Sequence, residues 1–364
     1  MIKIPTKEYK RQIKPNESEL RHLEKSTGWL STIARNRINS FSTNLPEDWK
    51  KGFKSRFTND FGATYFELII HQIFFHQGQK LAEHPDVLGS SRKPDYLIES
   101  NKEKIFLECK EFRNLTDDEK KLLKVKNEIL YQLSILKSKS FLYNIEEFSV
   151  IHENVGNLQS EYSKIQAIML QSPPKTIKDE YAYIHAHYQL INDKIRLRMN
   201  FSLRHDWEEE IIEDELLGTH MGNTILGFSE KSLRNGLIKK MTRYGVTNLP
   251  LVVSLNVASH WYCKRLIFES MFYGSTWMAP QTGKEGRDKN GIFTKPGNNL
   301  NHVAGALIFF ATNPYGIEQA EYYYFKNPNY TGQISIMNDF TSVEFKNNQV
   351  FVHENKSLKE LVGE

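Results

Sequence analysis

Two cysteines, Cys109 and Cys263, are too few for a disulfide framework. They fit a reducing compartment, and the chain reads as cytoplasmic. No uninterrupted apolar run approaches the roughly 18 residues of a membrane-spanning helix, so a membrane role is not expected. Residues 1–14 are basic but carry no apolar stretch, which argues against a secretory signal. With 20 glycines and 12 prolines in 364 residues the chain is neither fibrous nor of low complexity, and no internal repeat is visible. A strong net charge is missing too: 48 Lys and Arg face 44 Asp and Glu.

What is present is an ordinary globular composition, 39% hydrophobic and 25% charged, long enough to bury a sizeable core. The charge is unevenly placed. Residues 1–56 hold 13 Lys and Arg against 6 Asp and Glu, and their spacing is helical, so they read as a basic helical N-terminal region. The plain alternative is a solvated helical surface. A strong helix is expected over Asp60–Gly78, where Phe61, Tyr65, Leu68, Ile69 and Ile73 recur at three- and four-residue steps. Strands Asp95–Glu99 and Lys104–Lys110 follow as a hairpin, then a helix from Asp117 to Ser138. Further on, Phe141–Ile151 reads as a strand and Leu158–Leu170 as a helix. Ile195–Leu203 alternates strictly and pairs with Tyr181–Leu190 across Asn192-Asp193. Apolar runs at Leu249–Leu255 and Val303–Ala311 suit buried strands, with helices at Ser229–Tyr244 and Trp261–Tyr273. Gly274–Asn301 reads as loop. Interspersed helices and strands imply an α/β or α+β fold.

The chemistry concentrates between Glu67 and Lys110. Side chains two apart on a strand share a face, so Glu108 and Lys110 point together and Cys109 points away. The neighbouring strand brings Asp95 beside them. Ile105-Phe106-Leu107 marks the strand as buried, where a charged group needs compensation. Two close carboxylates repel unless a cation lies between them, and hard oxygen ligands suit Mg²⁺ or Mn²⁺. Lys110 on the same face can position water or steady charge on a phosphate, and Glu67 can supply a further carboxylate. This is equipment for metal-assisted phosphodiester hydrolysis. Against it stands the plain reading of a surface hairpin with an ion pair.

Other residues are weighed the same way. Arg196, Arg198 and Arg204 share one strand face, and Lys239, Lys240 and Arg243 share one stretch of helix. Each set reads either as solvated surface or as a grip on a nucleic-acid backbone. His71 and His76 match no zinc spacing and read as helix-surface residues; His185-x-His187 has no supporting ligand pattern. Cys109 reads as a small buried apolar residue.

The order of a helix acid (Glu67), Pro94-Asp95 opening a strand, a hairpin and Glu108-Cys109-Lys110 resembles the PD-(D/E)XK nuclease superfamily. That likeness covers about residues 57–140. A longer likeness, to a group of large uncharacterised bacterial proteins, runs through Ala63–His71, Arg92–Leu97, Lys239–Gly245, Pro250–Asn256, Tyr273-Gly274 and Asn327-Pro328. The resemblance implies a restriction endonuclease-like core, a mixed central sheet flanked by helices, over residues 57–140. Residues 1–56 would form the helical N-terminal region, and residues 141–364 would add strands that pack on or extend the core. It implies a Mg²⁺- or Mn²⁺-dependent nuclease in which Asp95, Glu108 and Glu67 hold the metal and Lys110 completes the catalytic set. DNA is the favoured substrate, in bacterial defence with a protein partner from the same system, and homo-oligomers remain open. The alternatives are a module of the same fold that binds nucleic acid or a partner without cutting, and a hydrolase of another phosphoester.

Overall fold

The structure, a computed structural model, describes residues 18–100, 103–112, 117–136, 141–171, 184–203, 230–257, 265–279, 284–310 and 312–364. Its elements in chain order are α1 (Glu19–Leu23), α2 (Trp29–Thr43), α3 (Glu47–Asn59), α4 (Phe61–His76), β1 (Lys80–Glu83), β2 (Tyr96–Glu99), β3 (Lys104–Phe112), α5 (Asp117–Ser134), β4 (Phe141–Val150), α6 (Gln159–Met169), β5 (Ile184–Ile191), β6 (Ile195–Leu203), α7 (Glu230–Met241), β7 (Leu251–Val257), α8 (Arg265–Tyr273), β8 (Thr276–Ala279), β9 (Lys284–Arg287), β10 (Val303–Phe310), β11 (Glu321–Lys326), β12 (Ser342–Lys346), β13 (Gln349–His353) and α9 (Leu358–Val362). The protein is mixed α/β with a large mixed central sheet and flanking helices. No helix among the described residues is long and apolar enough to cross a membrane.

The chain divides into two compact units, and the division does not follow three consecutive blocks. Among the described residues, the first unit joins those within 28–112 to those within 230–364; the second holds those within 18–27 and 117–203. The physical reason lies in strand pairing. β3 needs a parallel neighbour, and the sequence supplies it as β7, far along the chain.

The first unit carries an eight-stranded sheet in the order β1-β2-β3-β7-β10-β11-β12-β13. β3, β7 and β10 run parallel at its centre, with antiparallel neighbours β2 and β11. Central parallel strands are covered on both faces and so lose polar alternation. Every residue of β7 and β10 is accordingly buried. One face packs Phe106, Phe112, Val253 and Leu255 against Leu233, Leu237 and Met241 of α7 and Phe268, Met271 and Phe272 of α8. The other face receives α4, whose Phe66 ring lies edge-on to Phe309, 5.3 Å between centroids. Phe309 points opposite to Phe310, which belongs to the α7–α8 side.

α4 is apolar almost all round, which is why it lies between sheet and neighbouring helices rather than at the surface. The Asp60 side chain caps it, accepting from the Ala63 amide at 3.2 Å. Gly78 ends it at φ +73°, a conformation glycine adopts without strain. His71 belongs to this buried surface. Contrary to the helix-surface expectation it is 3% exposed, and burial drives its pKa down to about 4, so it is a neutral core residue. His76 is exposed.

The second unit is a three-stranded antiparallel sheet, β4-β6-β5. Ile195, Leu197, Met199 and Phe201 of β6 bury against Ile129 and Leu133 of α5 and Ile165 and Met169 of α6. Arg196 and Arg198 occupy the outer face, as the alternation implies. A further difference from the sequence reading falls in Gly274–Asn301, which contains the hairpin β8–β9. Its strands are four residues each, too short to show a period, and Gly286 gives the Trp277 ring room to lie across it.

β7 is packed on both faces, so truncating it should be expensive. Leu255→Ala is expected to destabilise the first unit by about 2–5 kcal/mol, measured by urea denaturation. A loss below about 1 kcal/mol would mean that Leu255 does not sit in a closed core.

Candidate active site

The site forms where β2 begins and β3 passes its midpoint, all within the first unit. Tyr96 pairs with Leu107, so continuing the antiparallel register by one residue sets Asp95 opposite Glu108. A hydrogen bond fixes this placement: the Cys109 amide donates to Asp95 Oδ2 at 2.6 Å. The Asp95 carbonyl accepts from the His84 amide at 3.1 Å, and His84 takes φ +47° to turn the chain there. Glu67 approaches from α4, where its own carbonyl oxygen accepts from the Tyr96 hydroxyl at 3.3 Å.

These acids are electrostatically linked through Asp95. Burial, then the Glu108 charge, pushes Asp95 up to about 6. Burial, then the Asp95 charge, pushes Glu67 up to about 7. Among the described residues no hydrogen-bond or ion-pair partner reaches the Glu67 carboxylate. Cys109 is buried, as its sequence reading expects, and burial followed by the Asp95 and Glu67 charges pushes its thiol well up.

Glu108 is treated differently. It is 1% exposed. Its Oε1 accepts from Lys240 Nζ and, at 2.9 Å, from Arg243 Nη1; its Oε2 accepts from the Tyr244 hydroxyl. Burial and Glu108 both push the Tyr244 pKa up, so the hydroxyl keeps its proton and donates. A buried carboxylate is tolerated because two cations and a hydroxyl satisfy it. α7 delivers all three from its last turn and the turn after it.

Lys110, two residues on and on the same face, lies beside α7 at Gly236. A Cβ there would come within 3.1 Å of Lys110 Nζ. Glycine inside a helix costs about 1 kcal/mol relative to alanine, and here it makes room for the lysine. Burial and then the charges of Lys240 and Lys239 lower the Lys110 pKa. Arg92, Lys110, Gly236, Lys239, Lys240 and Arg243 line a cavity of about 390 Å³. Among the described residues, five cations and no carboxylate border it.

The structure therefore links Glu67, Asp95 and Glu108, sets Lys240 and Arg243 on Glu108, and gathers Lys110 and Lys239 with those two cations around the cavity. Arg196 and Arg198 belong to the second unit, and both reach Glu147, at 3.9 and 3.2 Å. Arg204 lies outside the described residues. Sequence reasoning did not assign Tyr244, Arg92 or Gly236 to the site. A signal existed for Tyr244, since it follows Lys240 by four positions, one helical turn. No local pattern marks Arg92 or Gly236.

The acids can be tested against a divalent ion. No three His, Cys, Asp or Glu side chains among the described residues converge on one point as they stand. The donor chemistry of Glu67 and Asp95 nonetheless fits: both are hard oxygen donors whose burial and mutual repulsion a cation would relieve. Glu108 fits only if it exchanges its present partners.

No protein-family model, curated protein or solved structure matches the chain.

The two raised acids set a pH dependence. Unfolded Asp and Glu release protons near pH ~4, whereas folded Asp95 and Glu67 hold them to about 6 and 7. Between those values the folded chain binds more protons, so their contribution to stability falls as pH rises from about 4 to about 7 and is level above. In EDTA, Glu67→Gln is expected to flatten this slope and raise the melting temperature at pH 8. A slope identical to wild type would show that Glu67 titrates normally.

Proposed function

We propose that the protein is a metal-dependent nuclease with a restriction endonuclease-like core, hydrolysing phosphodiester bonds, with DNA the favoured substrate. The observation that carries this reading is a buried cluster of three acids, Glu67, Asp95 and Glu108, joined through Lys240 and Arg243 to a cavity that Arg92, Lys110 and Lys239 also line. The acids suit a divalent cation, and the cavity suits the phosphate backbone.

A cation held by Asp95 and Glu67, with Glu108, would supply Lewis-acid charge at the scissile phosphate. The chain's own groups do the rest. Arg92, Lys239, Lys240 and Arg243 bind the non-bridging oxygens through charge-assisted hydrogen bonds and hold the phosphate in place. Lys110, beside the same cavity, positions the attacking water and steadies charge on the phosphate, and the water's proton passes to solvent. The water oxygen bonds to phosphorus, the bond to the leaving oxygen breaks, and that oxygen is protonated from solvent.

One observation favours a second reading, nucleic-acid binding without cleavage. Glu108 already has cationic partners in Lys240 and Arg243. A module of this kind would bind equally well in Mg²⁺ and in EDTA. A setting in bacterial defence, beside a partner protein in a reducing cytoplasm, rests on the resemblance and on cysteine usage.

Cleavage of single- and double-stranded DNA and RNA by wild type, Asp95→Ala and Lys110→Ala, with Mg²⁺, Mn²⁺ and EDTA, tests the proposal. We expect metal-dependent cutting of DNA that falls by about 100-fold or more in each variant. Cutting that persists in EDTA, or in folded Asp95→Ala, would refute it. Binding without cutting under all conditions would favour the second reading.

A further inference from the structure

The Glu108 cage and the cationic cavity are built from the same two side chains. Lys240 and Arg243 hold the carboxylate, and they also line the 390 Å³ cavity with Arg92, Lys110 and Lys239. We infer that Lys240 and Arg243 form a latch on Glu108, so that a divalent cation and a phosphodiester bind this site cooperatively. The inference rests on the nuclease reading and adds to it an order of assembly.

The argument is charge balance in a buried place. With neither ligand bound, Lys240 and Arg243 neutralise Glu108, and the arrangement is satisfied. A divalent cation arriving alone must displace two cations from Glu108 or lie against them, and like charges at that range repel. A phosphate arriving alone draws Lys240 and Arg243 toward itself and strips the counter-charge from a carboxylate that is 1% exposed. Leaving a buried charge unpaired is among the most costly local changes in a protein. When both arrive, the balance closes. The metal cation takes over Glu108, and the two side chains turn to the phosphate.

The geometry allows this exchange. Lys240 and Arg243 are 21% and 37% exposed, so they can reorient, while Glu108 stays fixed in β3. Arg243 uses one terminal nitrogen on Glu108, leaving donors of its planar fork for a second oxyanion. Tyr244 keeps Oε2 hydrogen-bonded throughout, so the carboxylate need not rotate.

Linkage makes the effect reciprocal: each ligand tightens the other by the same factor, for typical couplings about 5–150-fold. Before substrate arrives the metal site is weak, which would limit adventitious cutting.

The test is Mn²⁺ binding, read as free Mn²⁺ by electron paramagnetic resonance, with and without a saturating phosphorothioate single-stranded DNA oligonucleotide that is not turned over. Asp95→Asn with the same oligonucleotide corrects for Mn²⁺ bound by the DNA itself. In wild type the oligonucleotide is expected to lower the Mn²⁺ Kd at least fivefold. In the Lys240→Gln/Arg243→Gln double variant, checked for folding by circular dichroism, Mn²⁺ alone should bind tighter than to wild type, and the oligonucleotide should change its Kd less than twofold. A wild-type Kd unchanged by DNA that does bind would overturn the latch and leave the nuclease reading standing. Coupling that survives in the folded double variant would overturn the assignment to these two residues. Wild type that binds no Mn²⁺ with or without DNA would overturn both.

Discussion

A buried carboxylate at the centre of a sheet is the constraint around which the first unit is organised. Glu108 sits in β3 between apolar neighbours, where an unpaired charge would cost several kcal/mol. Its partners come from the end of α7 and the turn that follows. That requirement fixes where α7 must end, and α7 leads directly to β7, the strand that pairs with β3. The ion pairs and the strand pairing therefore specify each other. Burial of Leu233, Leu237 and Met241 under the same helix supplies the apolar part of that docking.

The same constraint separates the acids by role. Asp95 and Glu67 lie in low-dielectric surroundings with little to offset their charge, and both respond by holding protons to higher pH. Glu108 has its charge met in full by hydrogen bonds. Neighbouring carboxylates in one cluster thus meet different surroundings.

Much of this was legible in the sequence, for identifiable reasons. α4 declared itself through helical periodicity; β7 and β10 through unbroken apolar runs; β6 through strict alternation. The adjacency of Asp95 and Glu108 is legible because hairpin register is a local property. Lys240 and Arg243 were noticed as charge but not placed, because their partner is distant in sequence and pairing across such a span leaves no periodic mark. Arg196 and Arg198 looked equivalent to them, yet answer Glu147 instead. His71 was misjudged because α4 is buried nearly all round, so no polar face existed for it to occupy. The hairpin β8–β9 was missed for its brevity.

The separation between Glu108 and its cations also has a consequence in time. Glu108 and Lys240 are 132 residues apart. At bacterial and eukaryotic elongation rates, roughly ten seconds pass between the synthesis of one and of the other. During that interval the hairpin β2–β3 exists without its parallel neighbour, exposing an unpaired apolar strand edge that carries an unneutralised acid. Such an edge is an opportunity for aggregation, and a charge within it works against that, since a second strand seated there would have to bury Glu108 without its partners. The residue that most burdens the finished fold thereby guards the nascent one.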